Sequence, residues 1–233
     1  MKILAIETAT EACSAALLWC TDKNDSPEIT VRFKHAPREH TKLILPMLDE
    51  VLEEAKLSFE EIDAIAFGRG PGAFTGLRIA SGIAQGLALA GGIPVIAIST
   101  LESLAQCVLG DLNEDQSVIV ALDARMNEVY WGEFIRLQDS LLLKGKEQVT
   151  SPQTLIDKMS AEQNILAIGN GWEVYMPDPP PNITLTKAVF PSAEYVAQLA
   201  LPLLLSGKFV PPEEALPLYI RNNIAKKPQN DVR

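Results

Sequence analysis

Histidine and cysteine are scarce in this chain, and positive charge is outnumbered. Two histidines, His35 and His40, and three cysteines, Cys13, Cys20 and Cys107, are all that 233 residues contain. No CxxC pair occurs, the Cys–His spacing matches no zinc pattern, and two histidines cannot build a His-rich metal centre. An odd number of thiols points to a reducing, cytoplasmic setting in which the cysteines act as small core hydrophobes. His35 and His40 flank a helix start, where surface or capping roles are the default. A Ser-His-Asp or Cys-His arrangement around His40 has no GxSxG elbow to support it. Basic residues number 20 against 30 acidic, a net charge of −10, which argues against this chain alone gripping a nucleic-acid backbone. The basic pair of note is Lys226-Lys227, in a Pro- and Asn-containing tail. No charge occurs between Ile79 and Leu101, yet Gly91-Gly92 and Pro94 cut that run into pieces too short to span a bilayer. Met1-Lys2-Ile3-Leu4 leads directly into strand-like sequence with an acid at Glu7, so no signal peptide is expected.

Glycine, in contrast, is concentrated. Eight of the 14 lie between Gly68 and Gly92. Residues 65–67 (IAF) form a short apolar run that reads as a buried strand. Gly68, Gly70 and Gly72, around Arg69 and Pro71, predict a turn in which the backbone approaches a neighbour closely. Residues 73–90 favour helix, stopped by Gly91-Gly92-Ile93-Pro94, and 95–98 is strand-like again. The unit is β-turn-α-β and implies a parallel pair of strands. Within its helix Gly82, Gly86 and Ala90 recur every four residues, with Arg78 beyond them, leaving one stripe nearly free of side chains. Each interior glycine costs about 0.5–1 kcal/mol against alanine. The stripe is therefore either a close-packing face against the chain's own sheet or a groove for the helix of another chain.

On either side of this unit the patterns are regular. Residues 2–6 (KILAI), 12–19 (ACSAALLW) and 29–34 read as a three-strand meander with turns at 8–11 and 21–28. A helix is expected over 40–56, with Leu43, Met47, Val51 and Ala55 in one stripe, flanked by Ile44, Leu45, Leu48 and Leu52, and with Pro46 inside. A helix so apolar on two flanks lies between layers or meets a partner. After a helix over 100–109 and a polar linker, 118–122 (VIVAL) mirrors 3–6 (ILAI), each followed by an acid, Asp123 and Glu7. A strand over 128–135 follows, and 167–171 (AIGNG) echoes 66–70 (AFGRG). Two echoes in the same order suggest a duplicated unit. Short and long helices are expected at 152–159 and 193–205, then a strap over the surface from 211.

Chemical motifs are weak. Gly68-x-Gly70-x-x-Ala73 fits GxGxx(G/A), but the acid that should hold a ribose after the next strand is replaced by Ser99-Thr100. Gly76-Leu77-Arg78 stands where a phosphate loop needs Gly-Lys-Ser/Thr. The segment Gly68, Arg69, Gly70, Pro71, Gly72, Thr75 and Gly76 is a structural turn or, with Arg78 nearby, a weak anion site at a helix N-terminus. Glu7 and Asp123 form a candidate carboxylate pair at facing strand ends, with strand capping the equal alternative.

The meander, HTKLILPM (40–47) and GRGPGAFTGLRIASGIAQGLA (68–88) resemble the TsaB family, also called YeaZ. GPGAFTGLR is highly specific, and the likeness covers nearly the whole chain, weakest after about Gly145. The resemblance implies the duplicated fold of actin, heat-shock chaperone ATPases and sugar kinases (ribonuclease H-like), in two lobes. Residues 1–110 would form an N-terminal lobe with the Gly-rich unit and dimer helices. Residues 111–233 would form a reduced C-terminal lobe with the last helix and tail. It implies a non-catalytic, dimer-forming role beside the transferase TsaD in making N6-threonylcarbamoyladenosine in tRNAs that read codons starting with A. TsaE, an ATPase, would join the larger complex, the chain would form a homodimer when alone, and tRNA would be met only indirectly. TsaD-like proteins carry a His-x-x-x-His metal pair where this chain has Thr100 and Leu104. Glu7-Thr8-Ala9-Thr10 replaces the Asp and Gly of an actin-like phosphate hairpin. No metal or cofactor of its own is therefore implied, with ATP or ADP left open at an interface shared with TsaD. The implied contact residues are His40, Leu43, Met47, Val51, Arg78, Gly82, Gly86 and Ala90. The rival reading is an enzyme in its own right, an actin-like ATP-binding phosphotransferase or a glycoprotease.

Overall fold

The structure, a computed structural model, describes residues 1–20, 26–159, 164–187 and 190–221. Most of the expected 21–28 turn and the Lys226-Lys227 pair lie outside them. Two five-stranded sheets carry the fold. In the first, β1 (Lys2–Glu7) pairs antiparallel with β2 (Ala12–Trp19), which pairs antiparallel with β3 (Glu28–His35). On its other side β1 pairs parallel with β4 (Ala64–Gly70), and β4 with β5 (Val95–Ser99). The second sheet repeats this plan. Its β6 (Ser117–Asp123) is flanked by antiparallel β7 (Val129–Leu137) and β8 (Ser140–Thr150), and by parallel β9 (Ile165–Ile168) and β10 (Ile183–Leu185). The strand orders β3-β2-β1-β4-β5 and β8-β7-β6-β9-β10 match one for one. The two sequence echoes fall on β1/β6 and β4/β9, as a duplicated actin-like α/β fold requires.

Central strands read as continuous apolar runs because both faces of each sheet are covered. The pleat sorts them. Leu4, Ile6, Ala15, Leu17, Ile65 and Phe67 point to a layer made by α1 (His40–Ala55) and α2 (Phe74–Gly91). Their alternates Ile3, Ala5, Ala16, Leu18, Ala64 and Ala66 point to the opposite face, where α6 (Ala193–Leu205) sits through Ala193, Val196, Ala197 and Ala200. This corrects the expected division of the chain, which assigned the last helix to the C-terminal lobe. Ser14 Oγ accepts the Ala193 N–H at 2.9 Å, tying the helix start to β2. Next in the chain after β5, α3 (Thr100–Gln106) packs Leu101, Leu104 and Ala105 on Val118, Val120 and Ile168 of the second sheet. The opposite face of that sheet is closed by Leu155 of α4 (Pro152–Lys158) and Trp172 of α5 (Asn170–Tyr175).

Downstream of α6 the chain returns along the first lobe. Val210 exchanges backbone hydrogen bonds with Val95 on the edge of the first sheet, both at 2.9 Å. Ala215 is fully buried, and Leu218 N–H donates to the Arg69 carbonyl at 2.7 Å. Residues 211–221 are the expected strap. Among the described residues no helix is long and apolar enough to cross a membrane.

Candidate functional site: a bare helical ridge beside an interlobe cleft

Helix α2 has two small-residue stripes with opposite duties. Ala80, Ala84 and Ala88 are fully buried against the first sheet, so the close-packing role belongs to alanine. Arg78, Gly82, Gly86 and Ala90 are exposed. A Cβ added at Gly82 or Gly86 would meet no atom within 4 Å. The glycine stripe is thus a bare ridge on the surface, flanked by Leu89 at 74% exposure. At one end of the ridge the Arg78 guanidinium lies 3.9 Å from the Phe74 ring centroid, and its Nε donates to the Tyr219 hydroxyl at 3.3 Å. Phe74 and Tyr219 pack ring to ring at 5.5 Å.

The residues expected from α1 divide. Leu43 is half-buried, but Met47 and Val51 belong to the core of this chain, Val51 with no exposed area. His40 is also buried, and its Nε2 lies 2.9 Å from the Thr10 carbonyl oxygen and 3.2 Å from that of Ala12. Both partners only accept, so Nε2 carries the proton and donates to the β1–β2 turn. These three are corrected from contact residues to core and turn-holding residues. Their stripe faces the sheet because helix-period apolar residues satisfy the nearest apolar layer first. Leu45, 49% exposed, and Pro46 stand on the outer side instead.

The glycine-rich segment is corrected too. Gly68, Arg69 and Gly70 belong to strand β4, with the turn beginning only at Pro71. A side chain at Gly68 would overlap the Glu7 carboxylate, and one at Gly72 or Gly76 would overlap the carbonyl oxygens of Ala9 or Thr8. Ala73 N–H donates to the Ala9 carbonyl at 2.7 Å, and Thr8 Oγ1 to the Gly76 carbonyl at 2.8 Å. The glycines bring the start of α2 onto the β1–β2 turn. Of the two nearby arginines, Arg69 directs Nη2 at Glu147, 3.7 Å away, and Arg78 packs on Phe74 and donates to Tyr219. Thr75 is exposed on the first turn of α2.

Between the lobes lies a cleft of about 1120 Å³. Its walls are the β1–β2 turn, the first turn of α2, the β6–β7 hairpin and the strap. Arg125 Nη2 crosses from the β6–β7 hairpin to Glu11 Oε1 at 3.3 Å, while its Nη1 pairs with Asp123 Oδ2 at 2.9 Å. Asp123 also accepts from the Tyr175 hydroxyl at 2.8 Å. Glu7 and Asp123 do not form a working pair. Asp123 lines the cleft, but Glu7 is 1% exposed, accepts from Ala9 N–H and Thr100 Oγ1 at 2.7 and 3.2 Å, and is pushed up to about 7 by burial. Among the described residues no three His, Cys, Asp or Glu converge in a way that could hold a metal ion.

A family model described as TsaD, tRNA N6-adenosine threonylcarbamoyltransferase, matches residues 31–230. Over 97% of the chain the sequence is 41% identical to the tRNA threonylcarbamoyladenosine biosynthesis protein TsaB of Escherichia coli, covering 97% of that protein. Its likeness to the protein of that name in Haemophilus influenzae is 39%, over 97% of this chain and 96% of the relative. The chain belongs to the TsaB family. The solved YeaZ structure from Pseudomonas aeruginosa superposes with a TM-score of 0.81 at 39% identity, over 94% of this chain and 99% of that one. TsaB relatives match end to end, which sets the family more narrowly than the transferase description does. Thr100 and Leu104, on α3, are both fully buried. Sequence reasoning did not single out Glu11, Arg125 or Glu147, nor Arg221, which lines the cleft from the end of the strap. Their partners are remote in sequence, and a lone charged residue in a turn or edge strand carries no pattern.

Proposed function

We propose that this chain is a scaffold subunit, without chemistry of its own, that binds the transferase TsaD and supports formation of N6-threonylcarbamoyladenosine in tRNAs reading codons that start with A. Support for the pathway comes from relatives named for threonylcarbamoyladenosine biosynthesis over nearly their full length. The observation that carries the scaffold role is the exposed ridge of Gly82 and Gly86, with open space above both. A ridge without side chains lets a second helix approach backbone-close, while Leu43, Leu45 and Leu89 supply apolar area beside it. The same ridge would serve a homodimer when TsaD is absent. TsaE would join the larger assembly, and ATP or ADP would sit at the face shared with TsaD. In that arrangement tRNA is met through the complex, consistent with a net charge of −10.

The test is Gly82→Leu and Gly86→Leu on a sizing column with TsaD, followed by reconstituted tRNA modification. The expected result is a folded monomer that no longer co-elutes with TsaD and no longer supports the reaction. Co-elution at the wild-type position overturns the reading. The cleft of about 1120 Å³ is large enough to favour a second reading as an ATP-binding phosphotransferase. Calorimetric titration of the isolated chain with Mg-ATP separates the two, since tight binding without TsaD supports the phosphotransferase.

A further inference from the structure

Sulfur is scarce at the surface of this chain, and one thioether stands apart from the rest. Of the five methionines, Met47 and Met176 are buried and Met1 and Met159 half-buried, whereas Met126 is 81% exposed. It sits at the tip of the β6–β7 hairpin and lines the cleft. Arg125, Met126 and Asn127 have φ of 60°, 57° and 59°, three successive side-chain-bearing residues in the left-handed region. That conformation costs energy and persists only where neighbours hold it. The thiols are less open to an oxidant than Met126. Cys13 is fully buried, and burial pushes its thiol up to about 11. Cys20 and Cys107 are half-buried, and burial raises the Cys107 thiol as well.

The neighbour that holds the tip is Arg221, at the end of the strap. Its Nη2 donates to the Ala124 carbonyl at 3.1 Å and pairs with Glu128, and its Nη1 points at the Met126 sulfur, 3.6 Å away. Behind it the strap is fixed to the first lobe, where Leu218 N–H donates to the Arg69 carbonyl. Across the tip, Ala124 N–H donates to the Glu128 carbonyl at 3.0 Å, and Glu128 N–H to the Arg125 carbonyl at 3.1 Å. A thioether sulfur is a weak acceptor, so one guanidinium N–H faces a poor partner. A sulfoxide oxygen in the same place is a far better one. It carries partial negative charge, and hydrogen bonds from a charged donor are roughly twice as strong as neutral ones.

We propose that Met126 is a reversible oxidation site whose state is read by Arg221. The oxidant is a hydroperoxide. The sulfur lone pair attacks the outer peroxide oxygen and the O–O bond breaks. The proton on the transferred oxygen passes to the departing one, which leaves as water or an alcohol. Rotation about the bonds to sulfur turns the new S–O group toward Arg221 Nη1, which donates to it. The oxidised side chain ties the end of the strap to the hairpin tip more firmly than the thioether does. Reduction by a dithiol, through a methionine sulfoxide reductase, joins two thiols in a disulfide and returns the oxygen as water. Neither step depends on the ridge being a docking face.

The test treats the full chain with hydrogen peroxide, maps methionine oxidation by peptide mass, and follows hydrogen exchange on the singly oxidised protein. Met126 should oxidise at least about tenfold faster than the buried Met47 and Met176. The Ala124 and Glu128 amides should then exchange about three- to tenfold more slowly, and return to their first rates after treatment with methionine sulfoxide reductases and dithiothreitol. Arg221→Ala should keep the oxidation and lose the slowing. Met126→Leu should exchange alike before and after peroxide, which separates the effect from oxidation elsewhere in the chain. Met126 oxidising no faster than the buried methionines overturns the proposal. Unchanged or faster exchange at the tip of the oxidised protein also overturns it, as does slowing that persists in Arg221→Ala or appears in Met126→Leu.

Discussion

The Glu7 carboxyl sits beneath Gly68 with the backbone N–H groups of Ala9 and Thr8 and the Thr100 hydroxyl for company, and burial outweighs all three in setting its proton affinity. Its value rises from 4.5 to about 7 on folding. Above pH 4.5 the unfolded chain releases this proton while the folded chain holds it. The group therefore costs stability progressively from about pH 4.5 to about 7, with a plateau above, by about 3 kcal/mol. Glu7→Gln keeps an acceptor for Ala9 N–H and places its amide toward Thr100. It should be near neutral at pH 5 and stabilising by about 1–3 kcal/mol at pH 8, read from denaturant midpoints. Equal destabilisation at both pH values would refute this. Sequence reading found Glu7 as an acid at a strand end, but its burial was hidden. The residues that enclose it, Gly68 and Thr100, belong to other elements, and Thr100 is 93 positions away.

At the scale of elements, α2 holds glycines of two kinds that look alike in sequence. Gly76→Ala would drive a methyl into the Thr8 carbonyl and should cost about 1–3 kcal/mol or more. Gly82→Ala and Gly86→Ala meet open space and remove backbone freedom from the unfolded chain, so each should stabilise the isolated chain by about 0.5–1 kcal/mol. Urea midpoints of the three variants, taken at protein concentrations low enough that each chain is monomeric, check both signs; loss of stability of the Gly82 monomer would mean that the ridge is not bare. Helices α1, α2 and α6, and the strands of both meander starts, were legible because their periods and glycine stops are strong. Strand β8 was not. It is an edge strand whose middle, Lys144-Gly145-Lys146-Glu147, is polar on both faces. Strand β10 has three residues and α5 has six, too short for any period to register. The stripe of Leu43, Met47 and Val51 identified a helix face correctly, but apolar residues are the same whether they meet the chain's own sheet or a partner's. That is why Met47 and Val51 were assigned to a surface they do not reach.

For the molecule as a whole, the duplication was readable from two short echoes, while the return of α6 to the first sheet was not. Nothing in an apolar, alanine-rich helix says which of two similar sheets it will cover. Its removal should be decisive. Ile3, Leu18, Ile96 and Ile98 are buried on the face that α6 closes. At about 1.5–3 kcal/mol each, they represent about 6–12 kcal/mol, comparable with the whole stability of a typical domain. A fragment of residues 1–110 should therefore show no cooperative thermal transition and should bind a hydrophobic dye; a sharp melt would refute this. The same arrangement bears on how the protein is made. From Ser99, where the first sheet is complete, to Ala193, where its cover begins, a ribosome adding 5–20 residues per second needs about 5–20 s. For that interval the newborn first half carries a greasy, uncovered flank. Its quality control in the cell is a matter of shielding until the later half has been translated.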